Sequence, residues 1–193
     1  MKEKDPDGCY KIWTETPVSY QVNGTQLDGC ELKGFYVGWG WTKKFQNNAR
    51  HVLETDVCHT KGCFGGVLKV LVGKDAMDSL VLVGLGYAPI ENGVNWNWFL
   101  KQANEHLDGI FSQPNLTLIV DWEKGLNSVQ NQTWFNARLK RCTEHAFKNL
   151  STVPGVNRTA KGHFTSIFMA GNLDFRQKLI DDFGDSFGER AKK

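Results

Sequence analysis

Three short apolar runs, rich in leucine and β-branched residues, lie between positions 51 and 88. Turn residues separate them, and this spacing dictates a meander of β-strands. The first is His51-Val52-Leu53-Glu54-Thr55-Asp56. The second spans Gly65 to Gly73 and carries Val67, Leu68, Val70, Leu71 and Val72; after a turn at 74–78, the third runs from Leu80 to Ala88. The period then changes. Trp96, Phe99, Leu100, Ala103, Leu107 and Ile110 recur at helical spacing along one face, with Asn92 or Asn95 in position to cap the helix. Pro114 closes the connection, and Leu116 to Asp121 reads as a fourth strand, which a crossover helix would set parallel to a neighbour.

Downstream, the pattern predicts a second helix over Glu123 to Phe135, a short strand over Leu139 to Cys142, and a third helix beginning at Glu144. The order β-β-β-α-β-α-β-α defines an α/β fold with a mixed sheet between helices. Residues 1–33 are polar and broken by Gly and Asp, so they read as loop or loose strand, while Gly34 to Arg50 carries aromatics that fit a short element beneath the first strand. After Pro154, Phe164, Ile167, Phe168, Phe175, Leu179, Ile180 and Phe183 give helical texture, ending in a polar tail from Gly184. The chain therefore divides into a flanking segment at 1–50, a core at 51–150 and a helical segment with tail at 151–193.

Bulk properties exclude little. The 193 residues, 40% hydrophobic and 23% charged, suit one globular core, and no stretch is apolar for long enough to span a membrane. A net charge of +2 is neutral on nucleic acid. The N-terminus has no apolar signal region, so the five cysteines are expected to be reduced thiols and the Asn-x-Ser/Thr sequons to be incidental.

The chemistry is concentrated in two acids. Asp56 and Asp121 close the first and fourth strands, and a sheet presents such side chains in the crevice at its edge. Two carboxylates brought together there repel unless a cation lies between them, which points to Mg²⁺ or Mn²⁺. Cys142-Thr143-Glu144-His145 follows. With Cys58, His59 and Cys63 it would offer zinc donors, although the spacing is that of no standard finger, and a packed helix start with His145 hydrogen-bonded is the favoured alternative. Trp96 lies on the apolar stripe, whereas Trp98 points elsewhere and remains open to stacking on bases. Arg138, Lys140, Arg141, Lys148, Arg158 and Lys161 read equally as phosphate contacts or as a solvated face.

Four stretches also share a pattern. Asp56-Val57-Cys58-His59-Thr60-Lys61-Gly62, Glu91-Asn92-Gly93-Val94-Asn95-Trp96-Asn97-Trp98-Phe99-Leu100, Val120-Asp121-Trp122-Glu123-Lys124-Gly125-Leu126 and Cys142-x-x-His145 with Phe147-Lys148-Asn149 resemble, in order and separation, the catalytic domain of Mutator-like element (MULE) transposases. The resemblance covers about half the chain and implies a ribonuclease H-like fold of the DDE/D superfamily. It implies that Asp56 and Asp121 are catalytic and hold Mg²⁺ or Mn²⁺ in a two-metal site, with His59, Cys142 and His145 as supporting neighbours. Lys124, Arg138, Lys140 and Arg141 are the candidates for DNA contact. The partners the resemblance implies are DNA (transposon ends and target), no membrane and a homo-oligomer, in the nucleus. The family's third acid, a glutamate beyond a helical insertion, has no counterpart here: Asp174, Asp181, Asp182 and Glu189 are poor substitutes. The expectation is a truncated or inactive copy, or a domesticated module binding DNA or protein.

Overall fold

The computed structural model describes residues 4–45, 49–61, 65–121, 125–152, 154, 156 and 160–187. The chain forms two compact units, Met1–Lys140 and Arg141–Lys193. Among the described residues no helix is long and apolar enough to cross a membrane, and Cys9, Cys30, Cys58 and Cys142 form no disulfide.

The first unit is built on a seven-stranded mixed sheet. Its strands are β1 (Cys9–Val22), β2 (Thr25–Gly38), β3 (Val52–Thr60), β4 (Gly66–Lys74), β5 (Leu80–Ala88), β6 (Thr117–Val120) and β7 (Arg138–Arg141), in the order β1-β2-β5-β4-β3-β6-β7. The predicted meander is present: β3, β4 and β5 pair antiparallel in sequence. A helix, α2 (Gly93–His106), connects β5 to β6, and β6 pairs parallel with β3, as a crossover requires. Preceding it, α1 (Trp41–Phe45) is tied to α2 through one side chain. The Thr42 hydroxyl donates to the Trp39 carbonyl at 2.6 Å and its oxygen lies 2.8 Å from His106 Nε2.

Alternation decides which face of the sheet is buried. Leu53, Leu71 and Val83 from three adjacent strands join Trp96, Phe99, Leu100, Ala103 and Leu107 of the α2 stripe in one core. Asn92 caps this helix: its side-chain oxygen accepts from the Asn95 backbone N–H at 2.9 Å. The helix sits close to the strands because glycine lies beneath it. A methyl group at Gly86 would lie 2.5 Å from the Phe99 ring. Gly86→Ala is expected to destabilise the protein by about 1–3 kcal/mol through overpacking, read as a lower urea midpoint; an unchanged midpoint would mean that the helix is free to lift.

Two segments differ from the sequence expectation. The segment expected as loop or loose strand is regular strand from Cys9 onward: β1 and β2 form a long antiparallel hairpin closed by Asn23-Gly24, both with positive φ (50° and 79°). That geometry matches the right-handed twist of the flanking strands and stabilises the hairpin locally. The second helix expected over Glu123–Phe135 is, within its described part, a six-residue 3₁₀ segment, Leu126–Asn131, entered through Gly125 at φ 106°. Asn, Ser and Gln dominate it, and these residues do not sustain a helix interior as alanine or leucine would. The expected β-β-β-α-β-α-β-α order thus gains two strands and α1 at its start and has a 3₁₀ segment in place of its second helix.

The second unit contains α3 (Thr143–Leu150), α4 (Ala160–Met169) and α5 (Leu173–Phe187), each where helical texture was expected. Its aromatic contacts centre on Phe164, whose ring lies 5.7 Å from Phe147, 4.8 Å from Phe168 and 6.5 Å from the buried Phe183.

Candidate active site

β3 and β6 share four ladder positions, ending at Thr55 opposite Val120. Asp56 and Asp121 are the next residues on their respective strands, so two acids 65 positions apart in the sequence arrive at the same level of the sheet. Here the two strands part company. β6 stops at Val120, whereas β3 continues to Thr60 because β4 remains paired with it, Asp56 opposite Val70 and Thr60 opposite Gly66. Asp56 is therefore mid-strand, not at a strand end as the sequence suggested. It nonetheless marks the point where the β6 side of β3 opens.

Asp56 alternates with the buried Thr55, which puts it on the face of the sheet away from α2. It is half-buried, and one carboxylate oxygen accepts from the Val57 N–H at 2.7 Å. Asp121 is also half-buried. Three residues beyond Asp56, His59 is exposed and falls on the opposite face of β3, so the two do not share a surface. Cys142 is the residue that precedes the first turn of α3 and His145 lies within that turn, both in the second unit. Arg138 and Lys140 are exposed on the edge strand β7, with Arg141 at its end. Lys124 and Cys63 lie outside the described residues. Among the described residues, no three His, Cys, Asp or Glu side chains converge as a metal-ligand cluster.

The far side of the same strands holds a group that the sequence reading passed over. Lys69, opposite Val57 on β4, is only 1% exposed, and its ammonium lies 5.2 Å from the centre of the Trp96 ring. Burial pulls its pKa down to about 8, partly countered by the charge of Glu91. Glu91 in turn accepts from the Trp96 indole N–H at 3.2 Å. A lysine at an inward position of an apolar run was the available signal. Trp98, left open by the sequence, is stacked on Trp13 at 5.6 Å.

A glycine contact packs Gly125 against the start of α2. A methyl group on Gly125 would fall on the backbone of Asn92 and Gly93, at the start of α2. Gly93 has Ser128 equally close. Asn92-Gly93 and Gly125 therefore meet backbone to backbone.

The class is thus an α/β domain whose mixed sheet aligns two aspartates where a parallel ladder ends. A family model of the MULE transposase domain matches residues 52–149, just over half of the chain. The chain belongs to that family. No curated protein matches it.

Proposed function

We propose that residues 52–149 form the phosphodiester-cleaving core of a DDE-type transposase, with Asp56 and Asp121 as its first two acids. The observation that carries this reading is the β3–β6 register, which brings to one level of the sheet the two acids that the sequence resemblance points to. The strand order β5-β4-β3-β6-β7, three antiparallel strands followed by a helical crossover to a parallel fourth, supports a ribonuclease H-like fold. DNA, as transposon end and target, is the substrate class, which would place the protein in the nucleus.

Two carboxylates are hard oxygen donors, which suits Mg²⁺ or Mn²⁺, ions that retain several waters when few protein ligands are offered. Such ions, when bound, polarise the phosphoryl oxygens and supply a nucleophile at neutral pH. The protein's part is to hold its oxygens still. Asp56 does so from a strand hydrogen-bonded to β4, with its own carboxylate tied back to the Val57 amide. No third acid is assigned: Asp174, Asp181 and Asp182 lie on α5, and Glu189 falls outside the described residues. Weak cation binding and slow or absent strand transfer are therefore expected of this chain. The convergence of fewer than three ligand side chains among the described residues favours, as a second reading, a non-catalytic DNA- or protein-binding module.

Calorimetric titration with Mn²⁺ tests the site. Asp56→Ala and Asp121→Ala should each weaken binding by about tenfold or more, a loss of roughly 1.4 kcal/mol. Equal affinity in all three proteins would remove the metal assignment. Divalent-dependent nicking of plasmid DNA by the wild type, lost in Asp56→Ala, would decide for the enzyme over the module.

A further inference from the structure

A cleft beside the start of β1 holds a side-chain cluster that the transposase motifs leave unused. It has a volume of about 340 Å³ and is bordered by Asp7, Cys9, Lys11, Lys43, Glu105 and His106, all within the first unit. Cys9 is half-buried in its wall. The surroundings of the thiol follow from the strand register. Cys9 is paired with Gly38 across β1 and β2, so its side chain leaves the sheet on the face that a Gly38 side chain would take, about 5 Å from it. A methyl group on Gly38 would lie 2.9 Å from the Tyr36 hydroxyl oxygen and 2.9 Å from Cδ2 of His106. The missing side chain at Gly38 therefore lets a thiol, a phenol and an imidazole gather over one backbone position.

Two of these three groups carry unsatisfied polar atoms. Tyr36 and His106 are 0% and 2% exposed, and neither the Tyr36 hydroxyl nor His106 Nδ1 has a hydrogen-bond partner among the described residues. Native interiors leave few such atoms, and redox or catalytic roles are among the reasons they persist. The other ring nitrogen of His106 is held, with Nε2 2.8 Å from the Thr42 hydroxyl oxygen. Burial, reinforced by the charge of Cys9, pushes the Tyr36 pKa up, so the phenol keeps its proton and remains a donor. A donor beside sulfur favours the thiolate over the thiol, and the thiolate is the nucleophile. The rim selects the co-reactant. Two ammonium groups, Lys11 and Lys43, and two carboxylates, Asp7 and Glu105, border the same cleft, which matches a small molecule carrying both signs of charge.

We infer that Cys9 is a thiol-exchange site for a low-molecular-weight zwitterionic disulfide, with the Tyr36 hydroxyl stabilising the attacking sulfur. The Cys9 thiolate attacks one sulfur of the disulfide; a new S–S bond forms as the old one breaks, and the leaving thiolate takes up one proton in place of the one Cys9 gave up. The products are a mixed disulfide on Cys9 and one small thiol. The inference does not depend on the phosphodiester chemistry, since its readout is a mass added to one cysteine.

The test is peptide mapping by mass spectrometry on the full, reduced chain after timed exposure to glutathione disulfide or to the uncharged 2-hydroxyethyl disulfide. Cys30 and Cys58 are exposed and serve as internal references; accessibility alone would make them react first. Cys9 should instead react with glutathione disulfide about tenfold faster than either, through its larger thiolate fraction. That lead should shrink with the uncharged reagent. Tyr36→Phe should slow Cys9 and leave Cys30 and Cys58 unchanged, and Lys11→Glu/Lys43→Glu should slow the glutathione reaction more than the uncharged one. Cys9 reacting no faster than Cys30 and Cys58, an undiminished Cys9 rate in a Tyr36→Phe protein with wild-type circular dichroism, or equal leads with the two reagents, each overturns the inference.

Discussion

Gly125→Ala should cost roughly 3–5 kcal/mol and leave the first unit unfolded or close to it at 37 °C. Two independent penalties add at this position. The backbone there is at φ 106°, where an L side chain is strained whatever the space available. The space is also filled, and by backbone: the added methyl would fall on Asn92 and Gly93. A side chain can rotate away from a clash, but these atoms belong to the capped start of α2 and cannot move without breaking the Asn92–Asn95 cap. Chemical denaturation of Gly125→Ala beside Gly65→Ala, where nothing lies near the added methyl, separates the effect from glycine entropy alone. A loss below about 1 kcal/mol at Gly125 would show that the contact is loose.

Replacing Lys69 by methionine should stabilise the protein at pH 7, and the gain should shrink as the pH is raised. Burial lowers the Lys69 pKa from its ordinary 10.5 to about 8. The unfolded chain therefore holds this proton up to about pH 10.5, while the folded chain releases it near pH 8. Between those values the unfolded state binds more protons, so wild-type stability rises with pH across the window. Below pH 8 the full cost of burying the ammonium is present, on the order of 3 kcal/mol by linkage. The Trp96 ring offsets part of it. Methionine keeps the volume and the apolar stem without the charge. Urea titrations of both proteins from pH 7 to 10.5 measure the gap directly. A gap independent of pH would mean that Lys69 reaches water in the folded state.

The central part of this architecture was open to sequence reasoning because its signals are periodic. Alternation in β3–β5 and the 3.6-residue stripe on α2 are consequences of burying one face, and burial selects side chains strongly. The hairpin was missed although Asn23-Gly24 is a strong turn signal, since β2 is exposed along its outer half and Pro17, Gly29 and the register shifts at Trp13–Pro17 interrupt the strand pattern. The 3₁₀ segment after Gly125 was read as a helix because Leu126 and Val129, three apart, imitate a helical stripe; both are buried, but on a single tight turn. For the site, that Asp56 and Asp121 follow neighbouring strand positions was inferable from the two apolar runs they close. Where β3 ends was not, because that depends on β4 on its far side. Lys69 had a signal in its inward place on an apolar run, but its environment was not legible, being assembled from Trp96 on α2 and Glu91 just before it.

The unequal lengths of β3 and β6 give the two aspartates different mechanical footing. One is embedded in the middle of a beam clamped along its whole length by β4. The other is mounted where its strand has just run out. In the site proposed above, such a pair would have one jaw fixed by the sheet and one set at its margin, and substitutions next to Val120 would retune the gap between them while leaving the sheet untouched.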